Sequence, residues 1–273
     1  MALPLIELFP DEDYRFHLTL RKGNLGEFFG SADGIVLEER RRWLETDPSR
    51  YAAITEGAEP LLAELETLAA SWSPAFVPQA KPAGTLEQRL LALGRRLEPD
   101  FALLSKDSAG VFRLRAGAVC FPSSWALTEK MGLSLDEIHG VVPGLNASIG
   151  TAIEQFLNRL KPAMPYERTN WGLAATPELN MHPHLARARL TQLFDPERIW
   201  VRIEDQILAA LPFTGGILFG IRLRLVPFQE VLGHRQLRMG FHRAVTSMPD
   251  ALSVYKGFAS IKDQLLTASA AMA

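Results

Sequence analysis

Two runs with alternating apolar and polar residues, 199–211 and 217–225, are joined by Pro-Phe-Thr-Gly-Gly, and this feature most constrains the fold. Period-two alternation on both sides of a glycine-rich turn specifies an antiparallel hairpin. A lone hairpin is marginal in water, so its apolar face must be covered by further strands or helices. A second pair lies upstream. FALLSK (101–106) and VFRLRAGAVC (111–120) flank Asp107-Ser108-Ala109-Gly110, a short-turn sequence.

Helical patterns surround these pairs. Residues 34–70 keep helix-like spacing through Trp43, then from Tyr51 through Leu61, Leu62, Leu65 and Leu68, with Asp47 and Pro48 as cap and first-turn proline. Residues 71–84 (SWSPAFVPQAKPAG) are proline-rich and read as a linker or extended arm. A second helix is expected over 85–97, where Thr85 and Gln88 fit a capping box. Further helices are expected over 124–131, 134–139 and 147–160, and in a tail from Gln229 to about Thr267. The order predicts a single α+β domain: an N-terminal helical flank (1–98), a core with an antiparallel sheet (99–228) and a C-terminal helical tail (229–273).

Composition excludes several classes. A chain of 273 residues with 47% hydrophobic residues and a net charge of −2 is too apolar and too neutral to stay disordered, and folding can bury about three quarters of its unfolded surface. With 29 basic against 31 acidic residues, no global field attracts nucleic acid or an anionic membrane. The single cysteine, Cys120, rules out an internal disulfide framework and a multi-thiolate zinc site. The start, MALPLIELFPDEDYRF, lacks the basic region and unbroken apolar stretch of a signal peptide. The longest uncharged apolar stretch, 208–221, has 14 residues broken by Pro212, Gly215 and Gly216, too short for a membrane helix. A soluble, reducing compartment, most simply the cytoplasm, is the default expectation.

Strand alternation puts Arg202, Glu204 and Gln206 on one face of the first strand and Arg222 and Arg224 on one face of the second. A five-residue turn pairing Leu211 with Ile217 sets Glu204 across from Arg224 and Gln206 across from Arg222. Such a face is either a solvated ladder of ion pairs or a pocket wall that holds a carboxylate with paired guanidiniums. His182 and His184 form an H-x-H pair, but Pro183 and the lack of a third ligand argue against a metal site. His139 ends a short helix before Gly140, which suits either a dipole interaction or a ligand role. Cys120 closes an apolar strand and reads as a small buried hydrophobe. The tryptophans read as core or pocket walls, and no nucleophile elbow, phosphate loop or zinc-protease motif occurs.

The run GAVCFPSSWALTEKMGLSLDEIHGVVPGLN (117–146) resembles the signature segment of the haem-dependent oxidative N-demethylase alpha-subunit-like family, with its F-P-S-x-W, K-x-G-x-x-L and I-H-x-x-V-P-G elements. Arg168-Thr169-Asn170-Trp171 resembles that family's R-x-N-W, Arg202-Ile203-Glu204-Asp205-Gln206 its R-x-E-x-Q, Ile221-Arg222 its final hairpin and WLETDPSRY (43–51) an upstream element, so the likeness spans about 40–232. The resemblance implies a PAS-like antiparallel sheet that binds haem b, and oxidative removal of a methyl group from a small secondary amine with release of formaldehyde. It implies dioxygen as co-substrate and electrons from flavin and iron–sulfur partner subunits. It makes His139 the axial iron ligand. It places Arg202 at the propionates or beside a distal ligand, and Asn170 and Trp171 as pocket walls. Glu204 and Arg222 become catalytic candidates. Alternatives on the same fold are a non-catalytic haem- or small-ligand-binding sensor and a non-haem helper subunit. The chain departs from the pattern at Ser124, where the family has Gly, and at Arg224, where it has Tyr; an Arg there is expected to add a pocket-facing cation. The segment ELNMHPHLARARL (178–190) has no counterpart in the pattern.

Overall fold

Both hairpins form, and they join in one sheet. The computed structural model describes residues 4–72, 84–191 and 194–270. Its strands are β1 (Arg21–Lys22), β2 (Ala52–Ile54), β3 (Asp100–Lys106), β4 (Phe112–Ala118), β5 (Tyr166–Ala174), β6 (Trp200–Ala210) and β7 (Ile217–Pro227). They lie in the order β1-β5-β6-β7-β3-β4-β2, and every neighbouring pair is antiparallel. Before the core come helices α1 (Leu25–Gly30), α2 (Gly34–Thr46), α3 (Pro48–Tyr51), α4 (Glu59–Trp72) and α5 (Leu86–Gly94). Helices α6 (Leu135–His139) and α7 (Thr151–Arg159) lie between the strand pairs, and α8 (Phe228–Gly233), α9 (Arg235–Ser247), α10 (Asp250–Tyr255) and α11 (Lys262–Ala270) follow them. This is an α+β fold with a PAS-like sheet.

Local expectations were met where short-range chemistry decides. Thr85 and Gln88 close a reciprocal capping box on α5, and Ser134 and Glu137 do so on α6. Two expected helices differ. The run from Tyr51 to Leu68 is broken: residues 52–54 pair with β4 as an edge strand, and Gly57, at a φ of +79°, turns the chain before α4 starts at Glu59. Residues 124–131 form turns, because Ser124 takes a φ of +63° and the preceding backbone is pinned by long-range bonds described below. The proline-rich stretch lies, from 73 to 83, outside the described residues.

The two faces of the sheet are packed differently. On the core face, Phe101, Leu103, Ala116, Ile207 and Leu218 pack under α1, α4 and α5, and Val201 and Ile203 pack under α8 to α11. The other face, here the site face, carries Arg202, Glu204 and Gln206. It is covered by residues 119–160, through Leu127, Trp125, Met131 and Ile138 at one end and Ile153, Phe156 and Leu157 at the other. Several side chains between those patches (Asn170, Glu204, Gln206, Ile221 and Leu223) remain only half-buried.

The register of the β6–β7 hairpin corrects the expected one. Ala210 pairs with Ile217, and the Leu211 N–H donates to the Gly216 carbonyl at 2.8 Å, so the loop has four residues and not five. The cause lies outside the hairpin. The buried Glu64 carboxylate on α4 accepts the N–H groups of Phe213 (2.7 Å) and Thr214 (2.9 Å) and the Thr214 hydroxyl (2.5 Å). Gly216 fits close against Leu61, where a Cβ would lie 2.3 Å from Cδ2. Shifting the pairing by one residue moves each side chain of the second strand to the other face. Glu204 is therefore opposite Leu223, and Asp205 is opposite Arg222.

Candidate functional site

The strand β6 supplies the centre of the site face. Glu204 Oε1 accepts the Ser123 hydroxyl at 2.5 Å, and Oε2 accepts the side-chain amides of Gln206 at 3.0 Å and Asn170 at 3.3 Å. Asn170 reaches Glu204 because the two residues are direct partners across β5 and β6. Three neutral donors thus hold one carboxylate on a half-buried surface.

Arg202 lies one step along the same face and is 4% exposed. Its Nε donates to Ser123 Oγ (2.7 Å), Nη2 to the carbonyls of Phe121 and Leu179 (both 2.7 Å) and Nη1 to the Glu178 carbonyl (3.3 Å). Burial pulls its pKa down to about 10. These bonds commit the guanidinium to tying residues 121–123 and 178–179 to the sheet, so the expected propionate role is replaced by positioning: Arg202 holds Ser123, and Ser123 holds Glu204. The unmatched segment 178–190 thereby gains a function as scaffold, with Asn180 also donating to the Tyr51 hydroxyl at 2.9 Å.

A second buried arginine fixes the start of the same segment. Arg40 of α2 is fully buried, forms an ion pair with Asp100, and donates to the carbonyls of Gly94 (2.6 Å) and Ala118 (2.8 Å). Asp100 in turn accepts the N–H groups of Cys120 (2.7 Å) and Phe121 (2.9 Å). Cys120 is buried in this network, and burial pushes its thiol up to about 12, which makes it an inert packing residue.

His139 closes α6 and is half-buried, and its ring forms no hydrogen bond with a described residue. Burial first, and the positive charge of Arg168 second, lower its pKa below the ordinary histidine value. A neutral imidazole with an unengaged nitrogen is the form that ligates a metal. A cavity of about 340 Å³ opens beside it between β4, α6 and α7, reaching Phe112, Asn146 and Ile153. One turn of π-helix, Asn146–Gly150, lines that cavity, a distortion that recurs at functional sites.

Arg168 is the residue that sequence reasoning quoted in a motif without assigning it a role. It projects from β5 on the site face, across from Gln206, and Glu204, Tyr14, His17 and His139 all feel its charge. Lys256, after α10, was missed altogether; its Nζ donates to the Trp171 carbonyl at 2.6 Å and sits 5.0 Å from that indole's centroid. Nothing in the local pattern around Lys256 marks it, because the tail reaches the β5 edge only through tertiary packing.

Three sequence-expected residues fall elsewhere. Arg222 lies on the core face, donating to the Phe28 and Ser31 carbonyls (both 2.7 Å) and pairing with Glu98 (3.3 Å), so it anchors α1 away from Glu204. Trp171 also points to the core face, edge-on to Phe9 at 5.0 Å and packed on Phe241. Adjacent strand residues face opposite ways, so Asn170 and Trp171 cannot both line one pocket. Arg224 is on the core face too, bonded to Asp205 at 2.5 and 3.2 Å, and adds no cation to the site. His182 and His184 meet through their Nδ1 atoms at 2.9 Å, and no group of three or more potential metal-ligating side chains gathers among the described residues. No helix among them is long and apolar enough to cross a membrane.

The residues present suit a haem: a neutral, unengaged imidazole, a cavity at its side, and apolar side chains (Trp125, Met131, Ile138, Phe219) next to polar ones on a half-buried face. A family model described as haem-dependent oxidative N-demethylase, alpha subunit-like, matches residues 63–266, which takes in the whole sheet except β1 and β2 and includes Ser123, His139, Arg168, Asn170, Arg202 and Glu204. That description is of an oxidative, haem-dependent enzyme and of one subunit among others. The chain belongs to the haem-dependent oxidative N-demethylase, alpha subunit-like, family.

Proposed function

We propose that this chain is the haem b-binding subunit of an oxidative N-demethylase that acts on a small secondary amine. The observation that carries the reading is the unpartnered, neutral His139 at the edge of a half-buried face whose centre is the Glu204 carboxylate. The overall change would be R–NH–CH₃ + O₂ + 2e⁻ + 2H⁺ → R–NH₂ + HCHO + H₂O, with the electrons coming from flavin and iron–sulfur partner subunits. When bound, haem would supply the iron chemistry that reduces dioxygen and oxidises the methyl carbon.

The chain's own residues would do the rest. His139 would hold the iron through its free ring nitrogen and set the orientation of the macrocycle. Glu204 would accept an N–H of the ammonium form of the amine and take its proton at Oε1 or Oε2. Ser123, Asn170 and Gln206 would keep that carboxylate aimed into the pocket, with Arg202 holding Ser123. Residues 119–160 would exclude water by covering the face.

The test is an absorbance titration of the purified protein with haem, repeated on His139→Ala. A stoichiometric Soret band that is lost or shifted in the variant supports a haem protein with His139 on the iron. Absence of a band in the wild type overturns both the enzyme and the sensor readings. A band indifferent to the variant retains the haem and removes His139 as ligand. Six-coordinate haem with no turnover of methylamines under supplied electrons identifies a sensor.

A further inference from the structure

The site face is short of negative charge. Arg168 is half-buried and makes no hydrogen bond or ion pair with any described residue. Lys256 is half-buried, and its ammonium has one hydrogen-bonding partner among the described residues, the Trp171 carbonyl. The other groups that feel their charge are Tyr14, His17 and His139, neutral or positive, and the carboxylate of Glu204. Glu204 is already engaged by three donors. Burial lowers the pKa of both cations, that of Lys256 to about 8, with Arg168 adding to the effect on Lys256 and Glu204 opposing it on both. Removing a guanidinium from water without an acceptor is costly, and its planar fork matches a carboxylate with two parallel bonds.

We propose that Arg168, on the site face, and Lys256, at the open edge of β5 beside it, form a carboxylate-binding site between the β5 strand and the chain after α10. Two sources share that chemistry: a haem propionate, or the acid group of an amine substrate, which would then be an N-methyl amino acid. Both sources rest on the haem–amine reading above, but the ability of the pair to bind a carboxylate does not. The geometry disfavours dimethylammonium as sole ligand, because a bare cation would meet two cations and one occupied carboxylate. An N-methyl amino acid presents its ammonium to Glu204 and its carboxylate to Arg168.

The experiment compares wild type with Arg168→Met, Lys256→Met and the double variant, with Arg168→Lys as the charge-retaining control. Each is titrated with haem, with haem whose propionates are esterified, and with N-methylglycine, acetate and dimethylamine followed by calorimetry. Loss of a charge-assisted bond predicts about a tenfold weaker affinity per residue. Weakened binding of haem but not of the ester assigns the carboxylate to a propionate. Unchanged haem affinity with weakened N-methylglycine binding assigns it to the substrate. Affinities within twofold of wild type in every arm overturn the site. If the wild type takes up no haem, the proposed function fails by itself, and acetate and N-methylglycine binding to the haem-free protein still decides this inference. Arg168→Gln and Lys256→Gln, checked by circular dichroism, replace any methionine variant that does not fold.

Discussion

Single residues show where a side chain's chemistry outweighs its neighbours in sequence. Ser124 occupies the left-handed region at a φ of +63°, is exposed and makes no side-chain bond to a described residue, in the position where the resembling pattern has Gly. The backbone need explains the glycine, since a Cβ costs about 1–2 kcal/mol there. Ser124→Gly is expected to raise the unfolding free energy by up to about 1 kcal/mol, part of the gain being offset by a freer unfolded chain; urea denaturation measures it, and a lower midpoint would contradict the account. Strand alternation put Glu204 on one face with Arg202 and Gln206, because alternation is a local property, whereas Asn170 and His139 were singled out by the family resemblance. Sequence reasoning misplaced Arg222 and Arg224 because their face depends on register, and it overvalued Arg202 as a ligand group because motif matching cannot show that a guanidinium is already bonded to three carbonyls and a hydroxyl.

At the scale of elements, α6 is only five residues long, and His139 owes its position to how that helix starts. Ser134 accepts the Glu137 N–H at 3.2 Å, and Glu137 accepts the Ser134 N–H at 2.7 Å. Removing such a cap costs about 1 kcal/mol. Ser134→Ala is therefore expected to lower thermal stability by a few degrees, and to weaken haem uptake in the Soret titration more than Thr85→Ala, which removes the equivalent cap from α5 far from the site. Equal effects of the two variants on haem uptake would separate helix stability from His139 placement. The Thr85–Gln88 capping box was legible because its four-residue spacing carries the whole mechanism, and Ser134–Glu137, with the same spacing, was read only as the start of a helix. Residues 124–131 were not, since apolar residues at helical intervals there are turns held by Arg202 and Asp100 through bonds to residues 121–123 and 120–121.

Across the whole molecule, an N-terminal and a C-terminal group of helices lie side by side on the core face of the sheet. Gly240 of α9 lies so close to the N-terminal segment that an added Cβ would be 1.9 Å from the Phe9 carbonyl oxygen. Phe9 in turn packs edge-on against Trp171 and Phe241. Gly240→Ala is expected to destabilise the protein by about 3 kcal/mol, the upper range for overpacking, and to change the tryptophan emission; an unchanged denaturation midpoint would refute that packing. By itself the sequence determined the strand pairs, the helix starts and the α+β class, because periodicity, capping and turn chemistry act within a few residues, and its motifs carried the resemblance to the family. Tertiary structure alone decided the hairpin register, through Glu64 of α4 bonding the loop, and with it which arginines face the site. It also brought Lys256 to the β5 edge and left Arg168 without an acceptor among the described residues, outcomes set by contacts between segments far apart in the chain, which no local pattern encodes.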